Sequence, residues 1–135
     1  MNTDISGGFA KTSGDYTGTV SANAIVMSAT NATNTSGTYA VVIGSGKVID
    51  HTVYKKVKFH ATISGNNSNN AYVVLNTVNT GYGGRLIPKD SYQRIVTGDN
   101  VLDISDSTRN GYIVFLLGVN AGTISVSIDS ITLGK

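Results

Sequence analysis

Histidine, aspartate, arginine and tyrosine are the side chains through which this 135-residue chain could do chemistry. A zinc site needs three or four nitrogen, sulfur or oxygen ligands. Here there are two histidines, His51 and His60, and no cysteine. Disulfides and thiolate metal sites are therefore excluded. His51 follows Asp50, and the pair reads either as a ligand pair or as a turn before a strand. His60 falls on the polar side of an alternating stretch. The eight acids are all Asp. Acid–base hydrolysis of a glycoside needs two carboxyls facing each other across a cleft. Asp103 and Asp106 in LDISDST are neighbours, but Asp ahead of Ser is turn chemistry. Asp129 sits in a strand pattern. It reads as a solvated outward carboxylate or as a ligand of a structural calcium, which wants several hard oxygens. No GxSxG, P-loop or HExxH is present. GYGGR (81–85) is glycine-rich but opens no helix, so it makes no phosphate cradle. The sequence predicts a non-catalytic protein with no cofactor beyond that calcium.

Tyrosine remains. There are seven, against three Phe and no Trp. A phenol ring offers an apolar face and a hydroxyl. With Asn, Ser and Arg beside it, that is equipment for holding a sugar by stacking and hydrogen bonds. The densest cluster is NTGYGGRLIPKDSYQR (79–94), with Asn79, Tyr82, Arg85, Tyr92 and Arg94 as candidate ligand-binding residues. The alternative is that these are ordinary half-buried strand tyrosines.

Such residues must be carried by strands. With no Glu and sixteen Gly in a chain rich in Thr, Ser, Asn and Val, the composition disfavours helix and favours pleated segments joined by turns. KKVKFHATISG (55–65) alternates cleanly. Val57, Phe59, Ala61 and Ile63 share one side, and Lys58, His60 and Thr62 the other, as in a half-buried strand. Further strands are expected in VSANAIVMSA (20–29), TYAVVIG (38–44), AYVVLNTV (71–78), GRLIPKD (84–90), SYQRIVTG (91–98) and VLDIS (101–105). Pro88 lacks an N–H, so its segment is an edge strand or a loop. GYIVFLLGV (111–119) is apolar on both sides, as a central strand would be. In TISVSIDSITL (123–133), Ile124, Val126 and Ile128 are in phase, but Ile131 and Leu133 are not. Burying both sets requires a bulge or bend near 129–130. Many short strands with turn signals between them predict an all-β, two-sheet antiparallel sandwich. Residues 1–17 read as a lead-in, linker or edge strand, and 18–135 as the sandwich domain.

The charge balance excludes several partners. Formal net charge is +2, and the basic residues are scattered, so nucleic acid is not expected. Lys55, Lys56 and Lys58 read as a strand's solvated edge. No apolar run approaches the ~20 residues of a membrane helix, and the start MNTD does not resemble a signal peptide. Three sequon matches, at 31–33, 34–36 and 66–68, fall in Asn-rich loops where such matches arise by chance.

The stretch KVIDHTVYKKVKFHATISG (47–65) resembles an opening, I-D-x-T-x-Y-x-x-L-x-F, of domains in tail-associated and minor structural proteins of phages and prophages of Gram-positive bacteria. VLDISDSTRNGYIVFLLGVNAGTISVSIDSITL (101–133) is similar to their closing strands. It is also similar to the ends of galactose-binding-like jelly rolls, including many carbohydrate-binding modules. The resemblance implies a two-sheet jelly roll. In sugar-binding members the ligand takes a sheet face or the loops at one end. Many such modules stack sugar on Trp, which this chain lacks. Some hold calcium near the terminal strands, where Asp129 and Asn23 could serve.

Three roles are consistent with this reading. The first is a carbohydrate-binding module of a phage tail or baseplate protein. Its partners would be host cell-wall or surface saccharide and other tail proteins, and it would act outside the cell, as an oligomer if the parent assembly makes it one. The second is a structural or decoration domain of a tail protein without ligand. The third is the accessory sugar-binding domain of a secreted hydrolase.

Overall fold

A computed structural model describes residues 14–21, 24–33, 37–66 and 70–135. Among them are the strands β1 (Tyr16–Val20), β2 (Ile25–Ala32), β3 (Tyr39–Gly44), β4 (Lys56–Gly65), β5 (Ala71–Asn76), β6 (Arg85–Ile87), β7 (Gln93–Arg94), β8 (Gly98–Asp103), β9 (Tyr112–Gly118) and β10 (Gly122–Gly134), and no helix. The first sheet runs β1-β2-β10-β4-β8. The second runs β3-β9-β5-β6, with β7 also pairing β5. Every pairing is antiparallel. Successive strands from β2 to β5 alternate between the sheets, and so do β8, β9 and β10, which is jelly-roll connectivity. The expected all-β sandwich is the observed fold.

The period-two stretches place the core. In β4, Val57, Phe59 and Ala61 are buried while Lys56, Lys58, His60 and Thr62 are exposed. They meet Ile113, Phe115 and Leu117 of β9, and the rings of Phe59 and Phe115 pack edge to face at 5.3 Å across the sandwich. β9 is central in its sheet and buried on both sides from Ile113 onward. β10 carries the expected phase slip. Asp129 pairs with His60 and Thr132 with Lys58, so two residues face Phe59, and Ser130 takes φ 53°. The bulge returns Ile131 to full burial.

Several boundaries differ from the expectations. The lysines of 55–58 belong to no edge, because β4 lies between β10 and β8. Lys56 and Lys58 stand on its solvent face. Strand pairing begins at Gly98 rather than at 101, since the Asn100 side chain secures the turn into β8 through Val96 N, Val96 O and Gly98 O. The stretch 91–98 supplies the two residues of β7 and, at Gly98, the start of β8. Tyr16 and Thr17 belong to β1, an edge strand, and Tyr16 is buried, its hydroxyl donating to Asn120 O. The rest of the lead-in through residue 13, and Asn23, lie outside the described residues. No helix of the described residues is long and apolar enough to cross a membrane.

Candidate functional site

The outer side of the second sheet is apolar where a solvated sheet would be polar. Alternation in β3, β9 and β5 sends Val42, Leu116, Val114 and Val74 outward, and cross-strand pairing sets them side by side. All four are at most 1% exposed. They are sealed by a layer of half-buried tyrosines: Tyr39, Tyr72, Tyr82, Tyr92 and Tyr112.

These tyrosines arrive by different routes. Tyr72 and Tyr112 project from β5 and β9 in phase with the outward valines. Tyr39 opens β3 just before a register shift. Tyr82 and Tyr92 come from the segment that leaves β5, crosses the sheet and returns as β6 and β7. Asn76 is fully buried, and its Nδ2 donates to Val78 O and Gly81 O at 2.9 Å each, which folds the 77–84 loop back over the sheet. Asn79 Nδ2 donates to Ser45 O at 3.0 Å and carries the loop as far as β3. A Cβ on Gly44 would collide with the Asn79 carbonyl, so that crossing needs glycine there. Tyr92 Oη then donates to Tyr82 O at 2.8 Å, joining the two halves of the segment.

Tyr39 is the hub. Its ring meets those of Tyr82, Tyr92 and Tyr72 at 4.7, 5.1 and 5.9 Å, all edge to face, the arrangement the ring quadrupole favours. Burial, reinforced by the neighbouring phenols, pushes the Tyr39 hydroxyl up to about 12. Among the described residues, the hydroxyls of Tyr39, Tyr72, Tyr82 and Tyr112 have no hydrogen-bond partner. Arg85 lies with its Cζ 4.7 Å from the Tyr92 ring centroid, a cation–π contact. Arg94 pairs directly with Tyr72, so it shares that ring's side of the sheet, and it is exposed.

Of the residues singled out in 79–94, Tyr82, Arg85, Tyr92 and Arg94 thus come together on one face. Asn79 commits its amide to Ser45 and anchors the loop beneath them. Tyr39, Tyr72 and Tyr112 complete the face and were absent from the sequence expectation. The available signal was that AYVVLN and YIVFLL are apolar in both phases, with tyrosine on one of them.

The remaining candidates stand elsewhere. No group of three or more His, Cys, Asp or Glu side chains that could hold a metal exists among the described residues. Asp129 belongs to no such group, and Asn23, the other residue named for calcium, lies outside the described residues. Asp129 faces His60 instead, Oδ1 to Nδ1 at 3.3 Å, across β10 and β4. Asp50 and Asp103 are turn residues. Each accepts the backbone N–H and the hydroxyl of the residue two positions on, Thr52 and Ser105, and these bonds hold both carboxyls below the usual range.

No family model matches this chain, and no curated protein matches its sequence. Among solved structures, it is similar to a low affinity xylan binding module, CBM86, from the xylanolytic gut symbiont Roseburia intestinalis. Identity is 10%, the alignment covers 92% of this chain and 89% of that one, and the TM-score is 0.49.

Proposed function

We propose that this protein is a non-catalytic saccharide-binding module whose site is the tyrosine face of the second sheet. The observation that carries this reading is the convergence of five tyrosines and two arginines on one outward face, with four phenol hydroxyls lacking a partner among the described residues. Half-buried rings present C–H-binding surface at little entropic cost, and their free hydroxyls match the donors and acceptors of a sugar. Contacts of this kind give weak single-site affinity, multiplied when copies act together.

The finer reading is that the parent is a phage tail or baseplate protein acting outside the cell on saccharide at a Gram-positive host surface. It is supported by the strand patterns of 47–65 and 101–133. An accessory domain of a secreted hydrolase would use the same face. The genes flanking the parent gene separate these two settings.

The edge-to-face packing also favours a second role. The tyrosines seal Val42, Val74, Val114 and Leu116, as a purely structural lid would. Binding of the purified chain, single and clustered, to isolated wall polysaccharides and soluble oligosaccharides decides between the roles. Saturable binding lost in a folded Tyr72→Ala variant is the expected result. No binding to any fraction, even when clustered, would leave the structural module as the account.

A further inference from the structure

Beside the tyrosine face lies a hollow of about 390 Å³ lined by Arg85, Leu86, Ile87, Lys89, Asp106 and Thr108. Arg85 belongs to both. Its guanidinium lies over the Tyr92 ring, and the residue also lines the hollow. Among the described residues, no carboxylate pairs with Arg85 or Lys89, and no hydrogen bond satisfies any guanidinium nitrogen of Arg85. Nε is buried, whereas the two terminal nitrogens are not. An unpaired guanidinium fork held by a ring is pre-organised for a two-oxygen anion. Lys89 adds a second positive charge, and Asp106 is the single opposing one.

We propose that this hollow is an anion subsite, so that the saccharide recognised is an acidic one whose carboxylate or phosphate group sits between Arg85 and Lys89 while its ring lies toward the tyrosines. The ring placement rests on the saccharide-binding reading of the face, whereas the anion site does not. The apolar side chains of Leu86 and Ile87 in its lining suit the C–H side of a sugar substituent.

The test is a titration of the isotope-labelled full chain, followed by nuclear magnetic resonance at constant ionic strength. The probes are glucuronate, glucose 6-phosphate and methyl glucoside. Saturable shifts at Arg85 Nε–H and at the Lys89 amide are expected with the two anions, at concentrations about tenfold below any response to the neutral sugar, as the loss of one charge-assisted pair would predict. Arg85→Gln should weaken the anions alone by about that factor. Asp106→Asn should tighten them, because it removes the opposing charge. The tighter of the two anions identifies the source as carboxylate or phosphate. Equal response to charged and neutral probes, or no saturable shift at Arg85 and Lys89, overturns the subsite, whatever happens at Tyr72 and Tyr82. Shifts at the hollow with none at the tyrosines for any probe would keep the anion site and overturn the face.

Discussion

Tyr72 is the residue on which the proposed function is most exposed to test. It stands outward from β5 beside Arg94, with its hydroxyl unpartnered among the described residues. Tyr72→Phe removes one hydroxyl and should weaken saccharide binding by about three- to tenfold, the worth of a single net hydrogen bond. Tyr72→Ala should abolish measurable binding while the chain still unfolds cooperatively. Calorimetric titration beside a denaturant curve checks both. Tyr39 makes a prediction about pH. Its folded value of about 12 lies above the ordinary tyrosine value of 10. The native state therefore holds a proton that the unfolded chain releases first, so this contribution to stability is complete below pH 10 and is lost between 10 and 12. Urea midpoints should fall across that window, and fall less in Tyr39→Phe. A phenolate absorbance titration of the native protein should show a late-ionising tyrosine.

At the scale of elements, the loop 77–84 matters most, because it turns a bare sheet into a site. Asn76→Ala removes both of its carbonyl ties from a fully buried position and should cost ~1–3 kcal/mol of stability. Saccharide affinity should fall with it, since Tyr82 loses its seat. Denaturation and binding measured on one preparation would check the two together, and unchanged affinity at reduced stability would detach the loop from the site. The β10 bulge tests the opposite case. Ser130 holds φ 53° while exposed, so Ser130→Gly should stabilise by up to ~1 kcal/mol in urea and leave binding untouched. The bulge itself was legible, because Ile124, Val126 and Ile128 go out of phase with Ile131. The course of the 77–84 loop was not. Asn76 reads as the end of a strand and Asn79 as a ligand residue until their amides are seen to reach Val78, Gly81 and Ser45.

At the scale of the whole molecule, two apolar layers carry different duties. The inter-sheet layer holds the fold, and Phe115→Ala there should cost ~3–5 kcal/mol, a large part of the ~5–15 typical of a domain. Urea unfolding checks it, and a loss below that of Tyr72→Ala would mean that the tyrosine layer is the true core. The strands, their inward faces, the central position of β9 and the all-β sandwich followed from the sequence alone, because each depends on a period-two pattern that local residues express. The candidate site was only half legible. Tyr82, Arg85, Tyr92 and Arg94 stand within one sequence window and could be grouped by eye. Tyr39, Tyr72 and Tyr112 are far from that window and from one another, and only strand order and register bring them under the same loop. Lys58 failed as an edge marker for the same reason, since whether a strand is an edge is settled by its neighbours. Alternation tells which side chains leave a strand together, but which strands lie alongside is decided by long-range pairing, and that exists only in the folded molecule.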